Sequence, residues 1–82
     1  MAFVGYILQS EKNHRYYVGH TENLERRISE HNSYKSLSTK HGIPWKVLHQ
    51  ERYQNRREAM NKEIAIKKRG IARYLKDIGL PG

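Results

Sequence analysis

The stretch RYYVGHTENLERRISEHN, residues 15–32, decides how this chain is read. Its opening residues, Arg15 to Val18, are rich in Tyr and Val and predict a short strand. Gly19 ends that strand, Thr21 has the hydroxyl of a helix N-cap, and an amphipathic helix is expected from about Glu22 to Asn32. On that helix Arg27 and His31 stand four residues apart and so share a face. Phenol, guanidinium and imidazole groups are thereby gathered in one strand–helix unit, a mixture that suits a phosphodiester better than it suits a core.

Working towards the N-terminus, Phe3 to Leu8 is apolar and β-prone and predicts a buried strand, joined through a polar turn at Ser10 to His14 in a hairpin with a second strand, Arg15–Gly19. With the turn centred between Glu11 and Lys12, Tyr6 lies opposite Tyr17 on one face of the sheet. That pair is either a packing contact, worth up to about 1 kcal/mol, or part of a site. On the helix, Leu24 and Ile28 form the apolar stripe, Arg27 and His31 flank it, and Glu22, Glu25, Arg26 and Glu30 form a solvated outer face. An arginine in that position either snorkels to water or serves a site, and a histidine there either complements the helix dipole or does chemistry.

Working towards the C-terminus, Ser33 to Pro44 has few apolar residues and reads as a loop beside the site, with Lys35, Lys40 and His41 available to backbone phosphates. Trp45 to Tyr53 alternates in part and predicts a third strand. Asn55 followed by Glu58 is a capping box that opens a helix from about Arg56 to Arg69. Its apolar positions are Ala59, Met60, Ile64 and Ile66, and Glu63 lies among them. A carboxylate on that side either pairs with a cation such as Lys67 at i+4 or belongs to a metal or phosphate site. Gly70 closes the helix, and Ile71 to Ile78 forms a last short one with a packing face of Ile71, Tyr74, Leu75 and Ile78, ending at Gly79.

At 82 residues the chain is expected to form a single domain, 1–82, burying about 60–65% of the surface its unfolded form exposes. Cysteine is absent, which excludes disulfides and thiolate zinc sites. The N-terminus lacks the basic flank and long apolar run of a signal peptide, and no run is long enough to span a bilayer, so a cytoplasmic location and no membrane partner are expected. Sixteen Lys and Arg against eight Asp and Glu give a net charge of +8. On so small a body that favours polyanions, most often nucleic acid, over a surface that is merely solubilised. Gly-rich phosphate loops, histidine metal pairs and GxSxG serines do not occur.

With Tyr6, Tyr17, Arg27, His31 and Glu63 in view, the chain resembles the GIY-YIG nuclease superfamily, in particular its small stand-alone members similar to the N-terminal nuclease domain of excinuclease UvrC. The first motif corresponds to Val4-Gly5-Tyr6 and the second to Tyr17-Val18-Gly19; the helix carries Asn23-Leu24-Glu25-Arg26-Arg27 and ends His31-Asn32. Pro44-Trp45 opens the third strand, and Glu58-Ala59-Met60 leads to Lys62-Glu63 and Ile66-Lys67, so the likeness covers about residues 3–70. The resemblance implies an α+β fold, a three-stranded antiparallel sheet flanked by α-helices. It also implies metal-dependent endonuclease cleavage of a nucleic-acid phosphodiester, DNA first and RNA second. Carried over, Tyr6 or Tyr17 becomes the general base, Arg27 the phosphate clamp, His31 an assisting group and Glu63 the ligand of one Mg²⁺ or Mn²⁺. Arg26, Lys35, Lys40 and Lys67 become backbone-phosphate contacts. The alternative is a non-catalytic nucleic-acid-binding module of the same fold. A protein partner or homodimer, and the biological role (DNA repair, processing of incoming DNA or an element-borne function), are left open.

Overall fold

The computed structural model describes residues 2–33, 35 and 39–80. Strands β1 (Phe3–Ser10), β2 (Tyr16–Thr21) and β3 (Trp45–Tyr53) form one antiparallel sheet in the order β2-β1-β3, accompanied by helices α1 (Leu24–His31), α2 (Arg56–Arg69) and α3 (Ile71–Asp77). This is the expected α+β architecture, with the most apolar strand at the centre and β2 at an edge. Each face of the sheet carries its own core. Ile7 and Val18 point to α2 and α3 and pack with Ile66 and Leu75. Tyr6, Leu8 and Trp45 point the other way and pack with Tyr17, Leu24, Ile28 and Ile43.

The hairpin register differs from the expected one. Tyr6 pairs with Gly19, and Tyr17 pairs with Leu8. The turn is set by Ser10, whose buried hydroxyl accepts from the Lys12 and Asn13 amides at 3.1 and 3.0 Å and donates to the Gly42 carbonyl. That centres the turn one residue later than Glu11–Lys12 and moves every partner by two. Strand side chains alternate with a period of two, so Tyr6 and Tyr17 still share a face, as diagonal neighbours.

The cap of α1 is Asn23, not Thr21: the Asn23 side chain accepts from the Arg26 amide at 3.0 Å. The Thr21 hydroxyl instead accepts from the Asn23 amide and shapes the turn before the helix. The cap of α2 is Asn55 as expected, accepting from the Glu58 amide at 2.9 Å. Gly70, at φ 96°, closes α2 and starts α3. The face of α2 that packs on the sheet carries Ala59, Glu63 and Ile66, whereas Met60 and Ile64 are exposed at 44% and 47%. The apolar positions therefore do not mark one stripe; Ile78, expected in the packing face of α3, is also exposed. A polar cluster fastens α3 to β3: Glu51 accepts from the hydroxyls of Tyr53 at 3.2 Å and Tyr74 at 2.8 Å.

In the segment expected as a loop, Lys40–Gly42 forms a 3-10 turn, and positions 34 and 36–38 lie outside the described residues. The return to β3 is clamped by Asn32, whose side chain accepts from the Trp45 amide at 2.6 Å and donates to the Trp45 carbonyl at 3.1 Å. Among the described residues no helix is long and apolar enough to cross a membrane.

Candidate active site

The edge strand β2 organises the site because its side chains alternate between the two faces of the sheet. Tyr17 and Gly19 look towards α1, while Val18 and His20 look towards α2. A cleft of about 470 Å³ opens over this edge and reaches both faces. Tyr6, Tyr17 and Arg27 line it from the α1 side, Glu63 and Lys67 from α2, and Tyr16, His20 and Ile71 complete the wall. Four of the five residues expected to do chemistry therefore converge, and they do so from four different elements.

Gly19 makes the convergence sterically feasible. The Tyr6 and Tyr17 rings stack with centroids 6.3 Å apart, and the Tyr6 hydroxyl passes directly over the glycine. Tyr6 is 2% exposed, and burial pushes its hydroxyl up to about 12, against the opposing pull of Arg27. The Arg27 guanidinium donates to Glu30 Oε1 at 3.0 Å and lines the cleft together with Tyr6 and Tyr17. Partial burial works against its charge, but Glu30 and the phenols outweigh that and hold it firmly protonated. Glu30, expected on a solvated face, is thus the residue that steers Arg27.

His31 does not line the cleft. It is fully buried behind Tyr6, with Nε2 3.1 Å from the Tyr6 hydroxyl and Nδ1 2.8 Å from Thr39 Oγ1. Burial, with Arg27 close by, lowers its pKa to about 4, so the ring is neutral at physiological pH.

Glu63 sits at the opposite wall. It accepts from His20 Nδ1 and from Lys67 Nζ, at 2.8 and 2.9 Å. Burial alone would raise its pKa; the two donors outweigh that and hold the carboxyl below its usual range. Both readings of Glu63 thus meet in one place, since it pairs with Lys67 and also faces the cleft. Among the described residues no group of three His, Cys, Asp or Glu side chains can hold a metal ion. A single carboxylate beside an open cleft suits Mg²⁺ or Mn²⁺, which keep most of their water and take the rest of their oxygens from a phosphate.

The residues expected to contact phosphate divide. Lys67 lines the cleft, whereas Arg26, Lys35 and Lys40 do not. His20 was not singled out from the sequence although it adjoins the second motif; its only local signal is the strand alternation that points it away from Tyr17. Thr39 and Tyr16 carried no local signal at all.

A family model described as the GIY-YIG catalytic domain matches residues 3–74. The chain belongs to the GIY-YIG family. Its curated relatives include the UPF0213 protein of Listeria welshimeri, 40% identical over 73 residues that cover 88% of this chain and 78% of the relative. The UPF0213 protein of Clostridium perfringens is 41% identical over 64 residues, covering 77% of this chain and 68% of the relative. The solution NMR structure of the UPF0213 protein from Bacillus halodurans is similar at a TM-score of 0.58 and 25% identity, covering 95% of this chain and 83% of that one. The GIY-YIG domain is a nuclease-like catalytic unit, and its two eponymous motifs here are the strands that bring Tyr6 and Tyr17 to the cleft.

Proposed function

We propose that this chain is a metal-dependent endonuclease that hydrolyses nucleic-acid phosphodiester bonds, with DNA as the first substrate class and RNA as the second. The observation that carries the reading is the shared cleft, in which two phenols, a guanidinium and a carboxylate face one space large enough for a nucleotide unit. The net charge of +8 supports a polyanionic ligand, and Lys67 brings part of that charge to the cleft rim.

Each side chain has a definable part. Arg27 presents a planar fork to two non-bridging phosphate oxygens, a geometry lysine cannot copy. Glu30 holds that fork in place before substrate arrives. Glu63 would hold one Mg²⁺ or Mn²⁺, which when bound would supply positive charge to polarise the phosphoryl group. A metal held by Glu63 would take the place of its contact with His20 or Lys67, and Lys67 could then serve a phosphate oxygen.

Tyr6 or Tyr17 takes the proton of the attacking water. A phenol held near 12 stays protonated at neutral pH, so Tyr6 takes the water proton only as it passes its own to an acceptor. His31 Nε2, 3.1 Å from the Tyr6 hydroxyl, is the acceptor for that proton in the tautomer protonated at Nδ1, and a lone pair of the phenol oxygen is then left for the cleft.

The test is cleavage of labelled single-stranded, nicked and branched DNA, beside an RNA panel, in Mg²⁺ or Mn²⁺, with Tyr17→Phe and Glu63→Ala as controls. Metal-dependent cutting by wild type and its loss in both variants is expected. Equal background cutting by all three, with salt-sensitive binding retained in Glu63→Ala, would establish the non-catalytic binding module instead. The double engagement of Glu63 by His20 and Lys67 is the observation that favours this second reading.

A further inference from the structure

Running back from the cleft wall, Tyr6, His31 and Thr39 form a chain of hydrogen-bonding groups that is almost wholly buried: their exposures are 2%, 0% and 1%. The links are 3.1 Å from the Tyr6 hydroxyl to His31 Nε2 and 2.8 Å from His31 Nδ1 to Thr39 Oγ1. A neutral imidazole carries one proton, so only one ring nitrogen donates and the other must accept. Which is which decides the direction of the whole chain.

We propose that Thr39 is a positioning residue of the catalytic site: by accepting from His31 Nδ1–H it fixes the tautomer in which His31 Nε2 accepts from Tyr6, so that the phenol oxygen turns a lone pair to the cleft. The geometry on the cleft side supports this direction. Tyr6 and Arg27 line the same cleft, and a guanidinium can only donate, so a phenol oxygen that presents a lone pair to that side spends its single proton on His31. With the other tautomer, Nε2–H would point at a hydroxyl already facing a guanidinium donor, and the phenol proton would be driven into the space meant for the attacking water.

Thr39 is well built for such a part because its backbone is anchored separately from its hydroxyl. The Thr39 carbonyl accepts from Trp45 Nε1 at 2.8 Å and from the Gly42 amide at 3.0 Å. Trp45 is in turn held by the Asn32 side chain, next in sequence to His31. The same short segment thus supports His31 from its own helix end and from the returning chain. Replacing the hydroxyl leaves those backbone anchors intact.

This inference rests on the nuclease reading for its meaning, and its test is chosen to be independent of turnover. In wild type, the ¹⁵N signals of the His31 ring are expected to show one tautomer, protonated at Nδ1. In Thr39→Val, which keeps the shape and removes the hydroxyl, the Nε2–H form is expected to gain population, while Thr39→Ser retains the wild-type pattern. In cleavage assays kcat is expected to fall about tenfold in Thr39→Val with KM unchanged, and to recover in Thr39→Ser. A wild-type ring protonated at Nε2 overturns the proposal, whatever the variants do. So does an unaltered tautomer in folded Thr39→Val. Inactive wild type with the expected tautomers would instead remove the nuclease reading and leave the positioning relation in place.

Discussion

Tyr6 faces Gly19 across the β1–β2 ladder, and a Cβ on Gly19 would lie 2.8 Å from the Tyr6 hydroxyl oxygen and 3.0 Å from the ring carbon that bears it. The Tyr17 ring closes the other side at 3.2 Å. The glycine of the second motif is therefore a seat for the tyrosine of the first, required for close approach and not for an unusual backbone angle.

Gly19→Ala should consequently displace the Tyr6 hydroxyl from Arg27 without unfolding the sheet. An overpacked core contact of this kind costs about 1–3 kcal/mol, and a misplaced reacting group costs about 100-fold in rate. Urea melts and single-turnover cleavage measure the two effects. A stable variant that cuts at the wild-type rate would show that the seat does not matter.

His31 should write its burial into the pH dependence of stability. Its folded pKa, about 4, lies below the unfolded value near 6.5, so the native state binds fewer protons as the solution is acidified. The stabilisation is present above about pH 6.5 and is lost as pH falls towards 4, an effect of about 3 kcal/mol. Unfolding free energies measured from pH 7 to pH 4 should fall more steeply for wild type than for His31→Gln. Parallel curves would mean that the imidazole is not held neutral.

Much of this was legible in the sequence because it depends on alternation and spacing. Period-two patterning put Tyr6 and Tyr17 on one face even though the turn, fixed by the Ser10 hydroxyl reaching Gly42, shifted their partners. Glu63 was visible as an acid among apolar neighbours. Its second partner, His20, was not, because a contact between β2 and α2 leaves no trace in local pattern. Met60 and Ile64 misled for the opposite reason: apolar character alone does not say that a helix face is covered. Thr39 escaped notice because its role depends on where the chain returns after α1, which is set by Asn32 and Trp45 together.

Lys67 holds Glu63 at 2.9 Å, where under the proposed function it would compete with a metal ion. Lys67→Met should therefore tighten Mn²⁺ binding by about two- to fivefold, a range set by the modest strength of a solvent-facing ion pair. The same change should weaken nucleic-acid binding and lower its salt dependence by about one unit of slope. Calorimetric Mn²⁺ titrations and binding at two salt concentrations read these separately. Unchanged Mn²⁺ affinity would place the ion somewhere other than Glu63.

Arg27→Lys preserves charge and removes the fork. With Glu30 placed to hold a guanidinium beside the two phenols of the cleft, the rate of bond cleavage should drop about 100-fold while affinity for nucleic acid changes little. Parallel losses in affinity and rate would make Arg27 a binding residue only.

The most direct measurement is single-turnover cleavage of one labelled DNA strand by wild type and by Glu63→Gln, each in Mg²⁺ and in a chelator. Gln keeps the shape of the side chain and removes the charge that a divalent ion needs. Cutting by wild type in Mg²⁺ alone, with Glu63→Gln reduced to the chelator background, is the expected outcome. Equal Mg²⁺-dependent cutting by both proteins would refute a cleft built around Glu63 as its metal ligand.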